Sequence, residues 1–401
     1  MKKVLALMLA LAMLILCAAS CGKKTPDGIT VEGDTIKIGV FEPTTGENGG
    51  GGMQEVIGIR YANSIVPTVT IGGKEYKIEL VEVDNQSDKT AAVTAASNLI
   101  TEGVVAVLGS YGSGVSIAAG STFESAGVPA IGCSCTNPQV TSGNDFYFRV
   151  CFLDPFQGTV MANYAYATKG LKKAYVIYQN GDDYSTGLAN YFMQAYQGEL
   201  VGQSTFNTNE SDFNAYIPAA KAKDPDVVFI PSSIQTAGLF IKQAREAGLN
   251  CELMAGDTWE NATIIDNAGK ANCEGVSFST FFDENDAGAA EFVKGFKAYL
   301  NSDKNNLTLN GGNDTVAAVS ALGYDAYMTV IEALKSMNGV VNSVALRDAI
   351  AKVNFNGVTG NITFNEDGDA NKDTAYIKTM TNGKFKFLGT QKTDGSFNAV
   401  K

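Results

Sequence analysis

Val104-Val105-Ala106-Val107-Leu108 runs straight into Gly109-Ser110-Tyr111-Gly112-Ser113-Gly114, and residues 128–131 lead in the same way to Cys133-Ser134-Cys135-Thr136-Asn137-Pro138. Short, continuous apolar runs bounded by glycine read as buried parallel strands. The first loop opens a helical segment over 115–126, rich in Ala, Ser and Gly. Free N–H groups at a helix start, joined by hydroxyls, suit an anionic group such as a carboxylate. The chain has no histidine, so these loops read as holding a ligand rather than transforming one.

The alternation extends both ways. Strands are expected over 36–41 and 78–83 with helices over 53–65 and 89–101, which predicts an open, mainly parallel sheet with helices on both faces. A second series begins at Asp154-Pro155, read as an N-cap followed by proline. Helices are expected over 156–168, 184–197, 212–223 and 237–247, and strands over 174–178, 227–230 and 253–255. Helices over 287–301, 316–336 and 343–353 then come without a fresh series of strands, so the chain is expected to return to the first lobe. The tail reads as strands at 362–364, 375–381 and 384–388, the last two joined by the hairpin signal Asn382-Gly383. Residues 365–371 superficially suggest a calcium loop, but Gly368 falls at its fourth place rather than its sixth; the stretch reads as a solvated turn.

At the N-terminus, Lys2-Lys3, an apolar run over 4–16 and Ala18-Ala19-Ser20 form an export signal, ending at Cys21. Small residues directly before a cysteine resemble the bacterial lipoprotein processing site, which makes Cys21 the lipidated first residue of the mature chain. Cys17 is a poor alternative because Leu16 is too large. Residues 22–34 read as a polar tether. The remainder of the 401-residue chain is too long for one core and right for two lobes. The formal charge of −12 disfavours a phosphate-backbone partner. Cys133, Cys135, Cys151, Cys251 and Cys273 show no C-x-x-C spacing and have no histidine to complete a zinc site. In an oxidising compartment a Cys251–Cys273 disulfide fits, with the others buried thiols or one further pair.

Eight stretches in order carry a family resemblance: Glu42-Pro43-Thr44-Thr45-Gly46, the 109–114 loop, residues 128–138, 149–158, 180–188 and 243–249, Gly256-Asp257-Thr258-Trp259, and 364–369. Together they resemble the periplasmic amino-acid-binding proteins of ABC transporters, of the branched-chain (Leu/Ile/Val) type. The resemblance implies an α/β fold of two similar doubly wound lobes on a three-crossover hinge, the type I periplasmic binding protein fold. It divides the chain into a signal peptide (1–20), a tether (21–35), lobe one (36–152 and 278–370) and lobe two (153–277 and 371–401). It further implies a monomeric, lipid-anchored, non-enzymatic protein on the outer face of the cell membrane. That protein has no cofactor, metal or nucleic-acid partner, and takes a small-molecule ligand, an amino acid, to an ABC permease.

Carried over residue by residue, Ser113 binds the ligand carboxylate, and Ser134 and Thr136 offer donors to the same head group. Tyr184 folds over the ligand from lobe two, and Asp257 pairs with its ammonium. Tyr111 and Ser233 belong to the same pocket. Trp259 is either a cleft wall or core packing. Two family tyrosines fall at or near Gly51 and at Ser233, a departure expected to open the side-chain end of the pocket and make it more polar. The ligand's side chain is therefore not given by the resemblance. Two other readings remain, a ligand-sensing receptor domain and a Ser113 hydrolase. The second lacks both a histidine base and a G-x-S-x-G elbow.

Overall fold

A computed structural model describes residues 26–400; the export signal and Cys21 lie outside them. The first sheet has the expected alternation. Its elements are β1 (Thr35–Glu42), α1 (Gly49–Ile65), β2 (Thr68–Ile71), β3 (Lys74–Asp84), α2 (Lys89–Thr101), β4 (Ala106–Leu108), α3 (Ser113–Ala126), β5 (Ala130–Gly132) and β6 (Tyr147–Arg149). The strand order is β2-β3-β1-β4-β5-β6, parallel except for the β2–β3 hairpin. Ile36, Ile38, Val105 and Leu108 are fully buried, as strands covered on both faces require.

The second lobe contains α4 (Asp154–Asn163), β7 (Lys173–Gln179), α5 (Asp183–Ala195), β8 (Glu199–Phe206), α6 (Ile217–Lys221), β9 (Val227–Phe229), α7 (Ile234–Glu246), β10 (Glu252–Ala255), α8 (Ala262–Ala268) and β11 (Ser277–Thr280). Beyond Thr280 come α9 (Ala290–Ser302), α10 (Lys304–Leu309), α11 (Ala318–Ser336) and α12 (Ser343–Ile350). Helix α11 packs along α1, so the chain does return to the first lobe. After the small hairpin of β12 (Phe355–Gly357) and β13 (Gly360–Ile362), β14 (Ala375–Thr381), β15 (Lys384–Gln391) and β16 (Phe397–Ala399) complete the second sheet. Its order is β16-β15-β14-β11-β10-β9-β7-β8, with the last three strands in sequence added antiparallel. Among the described residues no helix is long and apolar enough to cross a membrane.

Several expectations change. Helix α1 starts at Gly49 rather than Met53, so all four glycines lie in its first turns. A Cβ on Gly51 would stand 2.4 Å from the Tyr111 ring, and one on Gly52 2.0 Å from the Pro43 carbonyl oxygen. These glycines serve close approach, not loop flexibility. Asp154 does not cap α4: Leu153 holds that position, and the Asp154 carboxyl is buried in the first turn. The tether is docked over its last part, where Val31 donates to the Val341 carbonyl and Ser343 N–H to that of Ile29. Cys251 and Cys273 are free, as are Cys133, Cys135 and Cys151. The Arg245 guanidinium, held by the carbonyls of Leu249 and Cys251, lies beside both sulfurs of the expected disulfide. The 365–371 turn is not wholly solvated, because Asp369 is buried against Arg149.

Candidate functional site

In an open α/β sheet, a crevice forms at the carboxyl ends of strands where the strand order reverses. In the first sheet β1 lies between β3 and β4; in the second, β7 lies between β8 and β9. The two switch points face each other. Lobe one contributes Glu47 and Asn48 beyond β1, Tyr111, Gly112 and Ser113 beyond β4, and Ser134 beyond β5. Lobe two contributes Gln179 at the end of β7, Asp182 and Tyr184 at the start of α5, Ser233 beyond β9, and Asp257 and Thr258 beyond β10. These residues enclose a cavity of about 20 Å³, room for little more than a water. Anything larger than a water would fit between these residues only with the lobes further apart.

The loops on lobe one are cross-braced. Gly112 turns the chain with φ 117° into α3, and the Ser113 hydroxyl oxygen accepts the Asn137 N–H at 3.1 Å. The Ser113 oxygen thus meets a backbone donor from the second loop rather than a base. The Ser134 hydroxyl donates to Oε1 of Glu55. Tyr111 N–H donates to Oε2 of Glu42 at 2.7 Å. Glu42 and Glu55 are fully buried, and one ligand atom from each lies within 4.8 Å of the Cys133 sulfur. Burial and the neighbouring carboxyl push Glu42 well above the usual carboxylate range, and burial carries Glu55 up to about 7. Two desolvated carboxyls this close disfavour carrying two charges behind the loops.

On lobe two, Oδ1 of Asp257 accepts the Tyr184 hydroxyl at 3.2 Å and the Gln157 amide at 2.8 Å. The same amide donates to Ser279 at 2.9 Å. Burial pushes Asp257 up to about 7 despite these donors. A buried carboxylate oriented in this way is prepared for a cation. Glu47 forms a second acidic focus: burial and then the nearby Asp182 push it up to about 7, against the hydroxyl of Ser233 and the amide of Gln179. The lobes touch through backbone donors as well. Ile234 N–H meets Asn48 Oδ1 and Gln235 N–H the Glu47 carbonyl, both at 3.3 Å.

Of the residues singled out in the sequence, Tyr111, Ser113, Ser134, Tyr184, Ser233 and Asp257 line one cleft. Thr136 does not: it is fully buried, its hydroxyl beside the Asp154 carboxyl. Trp259 is also fully buried, its indole N–H on Ser232 Oγ at 3.2 Å, because the short turn Asp257–Trp259 aims the ring into the lobe. The Tyr111 ring packs over Gly51, so the missing family aromatic there does not open the pocket. Sequence reasoning missed Glu47, Asn48, Gln157, Gln179, Asp182 and Thr258. Only Glu47 and Asn48 carried a signal, as polar residues directly after a strand-end loop.

Proteins of known identity are similar to this chain in sequence and in fold. An "amino acid binding protein" of Pseudomonas aeruginosa is 34% identical over 229 residues, 55% of this chain and 60% of that protein. The match thus spans less than two thirds of that relative. The crystal structure of a leucine-binding protein, LivK, from Thermotoga maritima superposes with a TM-score of 0.80 at 32% identity, covering 90% of this chain and all of that one. The branched-chain amino acid transporter substrate-binding protein LivJ from Streptococcus pneumoniae, solved with isoleucine, gives 0.79 at 31% identity, covering 91% and 99%. Residues 35–384, from the first strand of lobe one to the closing hairpin of lobe two, match the periplasmic binding protein family, and the chain belongs to it.

Proposed function

We propose that the protein is the extracytoplasmic substrate-binding component of an ABC importer and captures an amino acid between its closing lobes. One observation carries this reading. A buried, oriented carboxylate on lobe two, Asp257, faces a hydroxyl and a helix N-terminus on lobe one at Ser113, across a cleft closed on both sides. An α-amino acid presents one negative and one positive group on adjacent atoms, and this cleft offers a partner to each. The relatives named as amino-acid binders support the same ligand class. The Ala18-Ala19-Ser20-Cys21 sequence supports a lipid anchor at Cys21. A thermal-shift screen against the amino acids tests the reading, since a ligand that binds only the folded state raises its stability by mass action. A protein that no amino acid stabilises would sink it.

A further inference from the structure

Resting on the amino-acid reading, we infer that the captured ligand carries a positively charged side chain, an amine or a guanidinium, held between Glu47 of lobe one and Asp182 of lobe two.

The cleft has two acidic foci with different neighbours. Asp257 sits with Gln157 and Tyr184, whereas Glu47 sits with Asp182, Ser233 and Gln179. The first focus is used by the ammonium that every α-amino acid has. The second is not needed for the head group, yet it is built from both lobes and closes only when they meet. Among the described residues no Lys or Arg lines the cleft, and no aliphatic side chain does either; its only rings are Tyr111 and Tyr184. Lys89, near this end, is half exposed and paired with Asp183 at 2.8 Å, and its charge also reaches Asp182 from outside the cleft. A branched aliphatic side chain placed here would desolvate Glu47 and Asp182 without compensating either. A cation between them removes their mutual repulsion. A guanidinium fits especially well, because its fork of N–H groups can serve a carboxylate and the Gln179 amide oxygen together. Burial holds Glu47 partly protonated near neutrality, the condition a cation would relieve. The overall charge of −12 also favours cations on approach.

Calorimetry on the full chain at pH 7.5, with L-arginine, L-lysine, L-glutamine, L-leucine and L-isoleucine, tests this. Arginine or lysine should bind at least about tenfold tighter than the other three. Glu47→Gln should weaken the cationic ligand at least about tenfold and leave leucine affinity unchanged or improved. Asp182→Asn, which keeps the cap on α5, should act in the same direction, with circular dichroism confirming the fold. Tighter binding of leucine, isoleucine or glutamine overturns the inference and leaves amino-acid capture standing. Unchanged arginine and lysine affinity in a folded Glu47→Gln also overturns it. Failure of every amino acid to bind the unsubstituted chain instead overturns the capture reading beneath it.

Discussion

Arg149 and Asp369 lie 220 positions apart and form a buried ion pair, Nε to Oδ1 at 2.6 Å, where the chain returns toward lobe two. The guanidinium does more than pair. It donates to the carbonyls of Cys135 and Asn137 at 2.8 and 2.7 Å and to the Thr141 hydroxyl at 2.7 Å. The loop that carries Ser134 is thus fastened from behind to a turn distant in sequence. Asp369→Ala leaves a charge buried without its partner and should lower the unfolding free energy by about 3–5 kcal/mol. A urea titration measures this. The loosened loop should weaken ligand binding in the same variant.

At the head group, Asp257→Ala removes the partner of the ligand ammonium and should cost about 2–5 kcal/mol of binding free energy. Ser113→Ala leaves backbone donors in place and should cost less, about 1.5–3 kcal/mol, as for one hydrogen bond to a charged group. Calorimetry on both variants gives the order. Near-native affinity in Asp257→Ala would show that the ligand has no α-ammonium at that position.

Glu47, Glu55 and Asp257 are each raised by burial from an ordinary 4.5, 4.5 and 3.8 to about 7. Between those limits the folded chain holds protons that the unfolded chain has released. The stability contribution is therefore full below the ordinary carboxyl range and is lost as pH rises through about 7, by up to about 1.4 kcal/mol per pH unit for each group. The ligand-free protein should melt at a higher temperature at pH 5.5 than at pH 8. Ligand affinity should run the other way, because Asp257 must be ionised to pair with an ammonium. Calorimetric scans and titrations across this range check both slopes.

Gly52→Ala places a methyl group 2.0 Å from the Pro43 carbonyl oxygen, a backbone atom that cannot step aside. Overpacking of this kind should cost about 1–3 kcal/mol. Gly51→Ala meets the Tyr111 ring instead and should act more on ligand affinity than on melting temperature. Differential scanning fluorimetry beside calorimetry separates the two effects.

Cys21→Ala should move the protein from the membrane fraction to the soluble one. Durable attachment takes more than one acyl chain, so mass spectrometry of the native N-terminus should find several. An unmodified native chain beginning at another residue would remove the anchor.

The strands β4 and β5 were legible because continuous apolar runs ended by glycine mark buried parallel strands, and β1 through its cluster Ile36, Ile38, Val40 and Phe41. Strand β8 was not: it lies on the sheet edge, with Glu199 and Leu200 exposed, so little hydrophobic pattern is written into it. The start of α1 was hidden because glycine disfavours helices locally, and only the approach of Pro43 and Tyr111 explains it. In the cleft, Ser113, Tyr184 and Asp257 sat in recognisable loops. The role of Gln157 gave no sign, since its contact with Asp257 spans 100 positions and exists only once α4 packs on β11. Thr136 and Trp259 occupy the right loops but face inward, because the direction of a side chain in an irregular turn is set by packing.

Residues 29–31 are stitched to the segment opening α12, with Ile29 N–H also donating to the Ser343 hydroxyl at 2.8 Å. Any upstream attachment therefore pulls on lobe one, never directly on lobe two. In mechanical terms the two lobes are the jaws of a vice, and only one of them is tied to the upstream chain. The untied jaw carries Tyr184, Asp182 and Asp257.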